Sequence, residues 1–391
     1  MTPSSRGAAW LPRVLATGVA AVTATGIVYA ATTAPAGTPR PAADASGLPA
    51  STASPTHTPA PSPSVHARVR AQSAPSRRPA AVRARRPLFP LPARPAYPHP
   101  CPPPPGHPGP PFKRPKPAVR AADLPRPVRV PAHRHVDLGA VTGKGMWLTT
   151  WADSKVDVAT VIARATAAGV HQLWVRTGGT YQGWYGDRLL TRLLPAAHVA
   201  GIKVIAWDFP TLSDPLRDVR RARHDLTGRW AGQRLDGFSA DLETIYEGTF
   251  ETPRRVQVYL SRIRLLAGNM PVIATVLRPT PEQLVTYPYR AEAPYVDVFA
   301  PMVYWSCNEP GATALSALKP LVRMRPVHLI GQSYDMGPEG GRRGMPTARE
   351  IWRFLDVAHR AGAIGASLYD YSEARAPQWH ALARYPWVAA H

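Results

Sequence analysis

The chain has 391 residues, including 47 prolines and two cysteines, and its formal net charge is +22. Residues 1–135 hold 30 of the prolines with 18 basic and only two acidic residues, which excludes an independent hydrophobic core there. Residues 136–391 carry 29 basic and 23 acidic residues, an ordinary balance for one folded domain. Two cysteines exclude a disulfide-stapled scaffold and a zinc site built from four cysteines.

Residues 1–30 have the pattern of an export segment. Arg6 and Arg13 precede an uncharged stretch from Val14 to Ala30, which ends in the small-residue pattern of a cleavage site. The stretch also reaches the lower length limit for a membrane span, so a cleaved signal peptide and an uncleaved membrane anchor both stay open. Either one places the rest of the protein in the extracellular space or the cell envelope.

Residues 31–135 are predicted to be a disordered linker rich in proline and arginine. Such a composition favours extended polyproline conformations and acts as a semi-rigid spacer. In the alternative interpretation, the positive charge binds anionic polymers of the cell envelope. Arginine outnumbers lysine 41 to 6, a bias that a GC-rich genome also produces, so we expect no nucleic-acid partner. We expect Cys101, in this linker, and Cys307 to be free thiols.

Residues 136–391 alternate short β-rich apolar runs with longer stretches of helical period. Eight such units in about 250 residues predict an α/β fold, the (β/α)8 TIM barrel. The alternative, a doubly wound sheet, would carry a glycine-rich loop after the first strand, and residues 149–153 contain no glycine. The predicted strands are 146–151, 172–177, 203–209, 237–243, 272–277, 296–304, 328–334 and 364–371. The predicted helices are 156–168, 188–200, 214–231, 253–267, 281–289, 313–324, 347–361 and 376–383.

Carboxylates and aromatic side chains dominate the ends of the predicted strands, where TIM barrels form their active sites. This mixture suits a carbohydrate, because aromatic rings stack on sugar faces and carboxylates bind hydroxyls or move protons. For the aromatic residues the competing interpretation is core packing, and for Arg176 it is an ion pair. Tyr369 and Tyr371 are expected on one face of the last strand. The predicted substrate-binding residues at these ends are Trp151, Arg176, Asp208, Trp305, Tyr334, Tyr369 and Asp370.

The segment from Leu235 to Glu243 forms the fourth predicted strand and carries the most specific motif. With a period of two, Ser239, Asp241 and Glu243 share one face, and the residues between them are apolar. Two carboxyls this close raise each other's pKa, so one can stay protonated and act as an acid near neutral pH. The competing interpretation is a structural pair neutralised by an arginine.

These residues resemble a known family. Asp236-Gly237-Phe238-x-x-Asp241-x-Glu243 is similar to the fourth-strand signature Asp-Gly-x-Asp-x-Asp-x-Glu of the family 18 glycoside hydrolases, the chitinases and endo-N-acetylglucosaminidases. Met302-Val303-Tyr304 resembles the Met-x-Tyr of the sixth strand in that family. A more distant likeness is to the lysozyme-like family 25. Ser239 departs from the signature, since it replaces the middle aspartate.

The resemblance implies a retaining mechanism that the substrate assists. Glu243 would be the general acid and base, Asp241 would orient the 2-acetamido group of the sugar, and Tyr304 would donate a hydrogen bond to its oxygen. Asp236 is carried over as a further binding residue. With an ordinary mechanism of two carboxylates, Asp208 or Asp370 would be the second group instead.

We therefore predict an exported, monomeric glycosidase that acts on a polysaccharide or a peptidoglycan-type glycan containing amino sugars, without cofactor or metal. Two alternatives stay open at this stage. The barrel could bind glycan without turnover, displayed on a cell-envelope stalk, or the basic stalk itself could carry a structural function in the envelope.

Overall fold

The computed structural model describes residues 116–131, 136–149, 156–339 and 341–387. The predicted export segment, most of the predicted linker and Trp151 lie outside the described residues.

Eight parallel strands form a closed barrel, which confirms the predicted fold class. The strands follow one another in chain order, and pairing of β1 with both β2 and β9 closes the cylinder. A two-residue strand, β3, pairs antiparallel with the end of β2 and stands outside the ring. The strands are β1 (Gly143–Leu148), β2 (Gln172–Gly179), β3 (Gly183–Trp184), β4 (Lys203–Phe209), β5 (Gly237–Asp241), β6 (Val272–Val276), β7 (Val298–Val303), β8 (His328–Gln332) and β9 (Gly365–Tyr369).

Helices follow the strands around the barrel, and several begin where a side chain caps free backbone N–H groups. Asp157, Asp214, Glu309 and Thr347 each accept such a bond, and proline stands in the first turn of several helices. The helices are α1 (Val158–Ala167), α2 (Asp187–Val199), α3 (Pro215–Thr227), α4 (Pro253–Ala267), α5 (Gln283–Thr286), α6 (Tyr289–Glu292), α7 (Pro310–Leu321), α8 (Ala348–Arg360) and α9 (Ala376–Arg384). Where one helix was predicted over 281–289, the structure has the two short helices α5 and α6.

Three helices pass into the next strand through a glycine with positive φ, as their Ala-Gly-aliphatic or Ala-Gly-Ala sequences suggest. Gly169, Gly201 and Gly362 have φ angles of +58°, +72° and +93°. After Gly169, the N–H of Val170 donates to the carbonyl of Ala165 at 2.9 Å, so the chain reverses within a single turn. These short connections bring each helix back against the barrel wall.

Part of the predicted linker contacts the barrel. In the segment 116–131, the Ala118 N–H donates to the Ser213 hydroxyl at 2.7 Å, and the Val128 N–H donates to Ser261 in α4 at 3.1 Å. The carbonyl of Leu124 accepts from Arg254. These residues therefore line α3 and α4 instead of standing clear of the domain, while the boundary at residue 136 stays a prediction.

The expectation of free thiols is wrong for Cys307, which is disulfide-bonded. The sequence has one other cysteine, Cys101, which lies outside the described residues. In the described part of the chain, no helix has both the length and the apolar character needed to cross a membrane.

Candidate active site

Three tryptophans fill the barrel interior below the candidate catalytic residues. Residues in register on neighbouring parallel strands share one side of the sheet, and these pairings place Trp147, Trp174 and Trp207 inside. Trp147 and Trp174 stack with ring centroids 4.8 Å apart, and Trp147 lies 5.5 Å from Trp207. Ser367 accepts the indole N–H of Trp147 at 2.8 Å. The interior is thus a packed aromatic floor, and Trp207 belongs to it.

Asp241 and Glu243 lie above this floor, where β5 ends. Phe238, Ala240 and Leu242 are fully buried, and the alternating residue Ser239 faces the interior, where its hydroxyl is 2.8 Å from that of Thr275. β5 itself stops at Asp241, so Glu243 stands two residues beyond the strand that was predicted to contain it.

Backbone contacts on both sides of Leu242 hold the chain between the two carboxyls. The Leu242 N–H donates to the Thr275 carbonyl at 2.9 Å, and its own carbonyl accepts from the Tyr287 hydroxyl at 2.7 Å. The direction of Glu243 is therefore set by the end of β6 and by the segment between α5 and α6.

Burial controls the protonation of this pair. It raises the pKa of Asp241 to about 7, although the nearby Arg176 guanidinium opposes the rise. The pKa of Glu243 is raised well above its usual range by burial, then by the charges of Asp241, Glu247 and Glu339. Within the described residues, Asp241 Oδ1 and Glu243 Oε1 are buried and have no hydrogen-bond partner. Burial and the neighbouring carboxylates therefore both favour the protonated form of Glu243.

Three tyrosines form the wall beside these carboxyls. The ring of Tyr304 lies 5.7 Å from that of Tyr334 and 5.9 Å from that of Tyr369, and Tyr334 and Tyr369 are 5.9 Å apart. Burial raises the pKa of Tyr304, and the charges of Asp241 and Glu243 contribute to that rise. The structure therefore brings Tyr304 together with Asp241 and Glu243, and it adds Tyr334 and Tyr369 to the same site.

Two loop glutamates also belong to this neighbourhood and were not predicted. Glu339 accepts a hydrogen bond from the Tyr334 hydroxyl at 3.0 Å, and burial raises the pKa of Glu339 to about 7. Glu247 accepts from the backbone N–H of Thr244 at 3.1 Å and contributes to the raised pKa of both candidate catalytic carboxyls. The clue for Glu247 is its position four residues after Glu243, whereas no sequence pattern indicates Glu339.

Arg176 lies inside the barrel, with its guanidinium 5.0 Å from the centroid of the Trp207 ring. Its charge favours the ionised form of Asp241, as the effect on the Asp241 pKa shows. This places Arg176 beside the candidate catalytic pair.

Several predicted site residues are held elsewhere. Both carboxylate oxygens of Asp208 accept from Arg221, at 2.8 and 2.7 Å, on the outer face of β4. Asp236 precedes β5, at the opposite end of the barrel from Glu243, where it binds His198 at 2.8 Å and Lys203 at 3.0 Å. The structure therefore places Asp236 away from the candidate pair, whereas Asp208 is held by Arg221 and acts on Asp241 through its charge, which raises the Asp241 pKa.

Residues that follow β7 and β9 also differ from expectation. Trp305 is fully buried and packs on Phe354 of α8, with centroids 5.3 Å apart, in the core outside the barrel. The Asp370 carboxylate accepts from Thr149 at 2.7 Å and from Ser372 at 2.6 Å. Tyr371 does not share the face of Tyr369, because its ring packs on Trp379 of α9. Among Trp305, Tyr369, Asp370 and Tyr371, only Tyr369 belongs to the tyrosine wall.

The described residues contain no group of three His, Cys, Asp or Glu side chains placed to hold a metal ion.

No protein-family model matches the chain, and no curated protein matches it significantly. Solved structures that are similar include a class V chitinase from Pseudomonas fluorescens Pf-5, at 14% identity and a TM-score of 0.46 over 62% of this chain and 98% of that one. The GH18 chitinase ChiB of Flavobacterium johnsoniae is 11% identical, with a TM-score of 0.46 over 62% of this chain and 93% of that one. The spore cortex-lytic enzyme SleL of Bacillus megaterium QM B1551 is 9% identical, with a TM-score of 0.46 over 64% of this chain and 75% of that one.

Proposed function

We propose that this protein is a glycoside hydrolase in which Glu243 is the general acid and base. The supporting observation is a buried carboxyl, with its pKa raised well above the usual range, at the C-terminal end of a barrel strand beside a second carboxyl and a tyrosine hydroxyl. Cleavage of a glycosidic bond needs such a proton donor, because the leaving oxygen must be protonated as the sugar becomes oxocarbenium-like.

The mechanism we propose retains the anomeric configuration and uses the 2-acetamido group of the substrate. Glu243 gives its proton to the leaving oxygen while the acetamido carbonyl oxygen attacks the anomeric carbon and the glycosidic bond breaks. Asp241 accepts the acetamido N–H, and Tyr304 donates a hydrogen bond to the acetamido oxygen. Glu243, now ionised, then takes a proton from a water molecule that attacks the anomeric carbon, and the bond between that carbon and the acetamido oxygen breaks to release the product.

The fixed partners of the other carboxylates support Asp241 as the second group. Arg221 binds both oxygens of Asp208, and Thr149 and Ser372 each donate to an oxygen of Asp370. Asp241 keeps one buried oxygen without a partner among the described residues, and its pKa of about 7 lets it exchange a proton near neutral pH.

The decisive experiment compares the full-length protein with its Glu243→Gln variant. Reducing ends released from chitooligosaccharides and from purified bacterial cell wall are measured for both. We expect turnover to fall by roughly 10²- to 10⁴-fold in the variant, the usual contribution of a general acid. Glu282→Gln, which changes an exposed glutamate, is the matched control and keeps wild-type turnover. Equal turnover in wild type and Glu243→Gln would refute the assignment.

One observation favours a second candidate, a barrel that binds glycan without cleaving it. Ser239 stands where the resembled signature has its middle aspartate, and its hydroxyl is engaged with Thr275. If the wild-type protein binds these glycans but releases no reducing ends, this second function is correct.

We further propose that the protein is exported and acts as a monomer in the extracellular space or cell envelope, with its basic linker as a spacer. The charge and hydropathy pattern of residues 1–30 supports export. Fusion of residues 1–135 to a phosphatase that is active only outside the cytoplasm tests it. We expect phosphatase activity if the segment directs export. Loss of the mass of about the first thirty residues would then show that the segment is a cleaved signal peptide and not a membrane anchor.

A further inference from the structure

The side of the barrel formed by α3 and α4 carries an excess of basic side chains. Segment 116–131 lies against these two helices, as its hydrogen bonds to Ser213 and Ser261 show. In the segment and the two helices with their caps, nine basic side chains are exposed or half-exposed, against two acidic ones, Asp123 and Asp214. We call this surface the basic face. Its basic residues are Lys116, Arg120, Arg126 and Arg129 of the segment, Arg217, Arg220 and Arg223 of α3, and Arg254 and Arg262 of α4.

The arginines of α4 hold the segment through backbone carbonyls. Arg254 donates to the carbonyl of Leu124 at 3.2 Å. Arg262 donates to the carbonyl of Arg126 at 3.2 Å and to that of Val258 at 2.9 Å. A carbonyl satisfies the N–H groups of a guanidinium but does not neutralise its charge. Burial, and then the charge of Arg254, lower the pKa of Arg262, so like charges lie close together where the segment crosses α4.

The arginines of α3 form a second row on the neighbouring helix. Arg217, Arg220 and Arg223 are exposed and recur every three residues, about 4.5 Å apart along the helix axis. Within the described residues, the one ion pair in this row joins Arg220 to Asp214, at 3.9 Å. An exposed pair of that kind compensates little of the charge. Because α3 packs beside α4, the two rows form one positive surface.

We propose that the basic face binds a linear phosphodiester polymer of the cell envelope. A guanidinium binds phosphate through two parallel hydrogen bonds, and a chain of phosphates meets several guanidiniums at once and releases its counterions. The proposed export brings the protein to such polymers. The inference goes beyond the proposed hydrolase, since the face lies on the helices and not at the strand ends beside Glu243.

The apolar side chains of this region favour a polymer over a lipid bilayer. Helices that bind a membrane surface combine basic residues with a large apolar face that enters the lipid. Among the described residues of the basic face and its helices, Leu265 is the one large hydrophobic side chain that is exposed, at 49%. A single half-exposed leucine supplies little insertion. Charge complementarity with a polymer requires no apolar surface, so the polymer is the better fit.

The test measures how tightly the full-length protein binds inorganic polyphosphate over a range of salt concentrations. One triple variant changes Arg120, Arg126 and Arg129 to Gln, and a second changes Arg217, Arg220 and Arg223 to Gln. We expect each to weaken binding at low salt by about 10-fold and to reduce the slope of log affinity against log salt by about 2–3. The rest of the basic linker is the same in every protein compared. Thermal unfolding verifies that each variant is folded.

The matched control removes three charges elsewhere. Arg323, Arg349 and Arg384 are exposed on or beside α7, α8 and α9, which follow other strands of the barrel. Their triple change to Gln should weaken binding less than about 2-fold, because distant charges are screened by salt. Equal losses in the control and in the face variants would overturn the basic face, as would the absence of binding by wild type.

Three further probes identify the partner. Purified sacculi that carry phosphodiester polymers should bind wild type better than sacculi from which hydrofluoric acid has removed those polymers. Tighter binding to phosphatidylglycerol vesicles than to polyphosphate would assign the face to a membrane surface instead, and tighter binding to duplex DNA would assign it to nucleic acid. Either result overturns the envelope polymer. Turnover of soluble chitooligosaccharides should be the same in both face variants and wild type, so failure of the hydrolase proposal leaves this inference standing.

Discussion

Two groups of buried carboxylates flank the barrel wall, and they differ in how their oxygens are satisfied. Outside the wall, Asp208 and Asp218 both bind Arg221, and Asp225 accepts from Thr177 at 2.9 Å. Inside, at the end of β5, Asp241 and Glu243 each keep a buried oxygen without a partner among the described residues.

Burial is nearly equal in the two groups, so burial does not distinguish a structural carboxylate from a reactive one. The outer group neutralises part of its charge through a guanidinium and satisfies its oxygens with fixed donors, which is what a stable fold needs. In the inner pair, one buried oxygen of each carboxyl has no hydrogen-bond partner among the described residues, and the pair lies at the C-terminal strand ends, where TIM barrels form their active sites. We infer that the outer group serves stability and the inner pair serves chemistry, and substitutions can separate the two.

The largest expected effect is on the outer group. Arg221→Met leaves Asp208 and Asp218 buried without their cation, so we expect the free energy of unfolding to fall by about 3–5 kcal/mol. Denaturant unfolding followed by circular dichroism measures it. The control is Arg220→Met, because Arg220 is exposed and only approaches Asp214, at 3.9 Å, an arrangement worth about 0–1 kcal/mol. Equal losses in the two variants would contradict the structural role of Arg221.

For the inner pair we expect substitution to lower turnover rather than the free energy of unfolding. Asp241→Asn replaces a carboxyl that is half protonated near neutral pH by a neutral isostere, so the unfolding free energy should not fall. Turnover should fall by about 10²- to 10³-fold, because a group that stabilises the transition state is lost. Asp208→Asn should destabilise the fold through its broken pair with Arg221. If Asp241→Asn destabilises the protein as much as Asp208→Asn, the distinction between the groups fails.

A third effect concerns pH. The folded-state pKa of Asp241, about 7, lies above its unfolded value of 3.8, so the folded state binds more protons between these values. Unfolding free energy therefore decreases as pH rises from about 4 to 7, by at most about 1.4 kcal/mol per pH unit for one group. Asp241→Asn should reduce this slope, and Asp225→Asn should reduce it further, since burial also raises the pKa of Asp225 to about 7. An unchanged slope in both variants would refute the protonation of these groups. Glu282→Gln serves as the control.

The β5 motif could be predicted from sequence because its alternation is unambiguous. Phe238, Ala240 and Leu242 must pack on helices, so Asp241 and Glu243 must face the interior. In β4 the residues before Asp208 are apolar on both faces, so the sequence does not show which face turns inward. The structure places Trp207 inside the barrel and Asp208 outside it. Trp207 therefore packs in the interior, whereas Asp208 forms a structural ion pair with Arg221.

Contacts made by loops could not be predicted for a different reason. Glu339 reaches Tyr334 through the path of the segment after β8, and nothing in the local sequence specifies that path. Asp236 belongs to the resembled signature, yet it precedes β5 and so lies one strand length from Glu243. A motif identifies a strand, but only the strand's direction tells which of its residues reach the mouth.

The smallest effect tests Ser239, the departure from the resembled signature. Ser239→Ala leaves the buried Thr275 hydroxyl without its partner, and we expect a loss of about 1–3 kcal/mol in the free energy of unfolding. Adding Thr275→Val removes the orphaned hydroxyl, so the double variant should recover part of that loss. Turnover should stay close to wild type in both variants, because the bond lies below Asp241 and holds no oxygen of the pair. A large loss of turnover in the folded double variant would instead show that Ser239 acts on Asp241, and the inner site would then extend one layer deeper into the barrel.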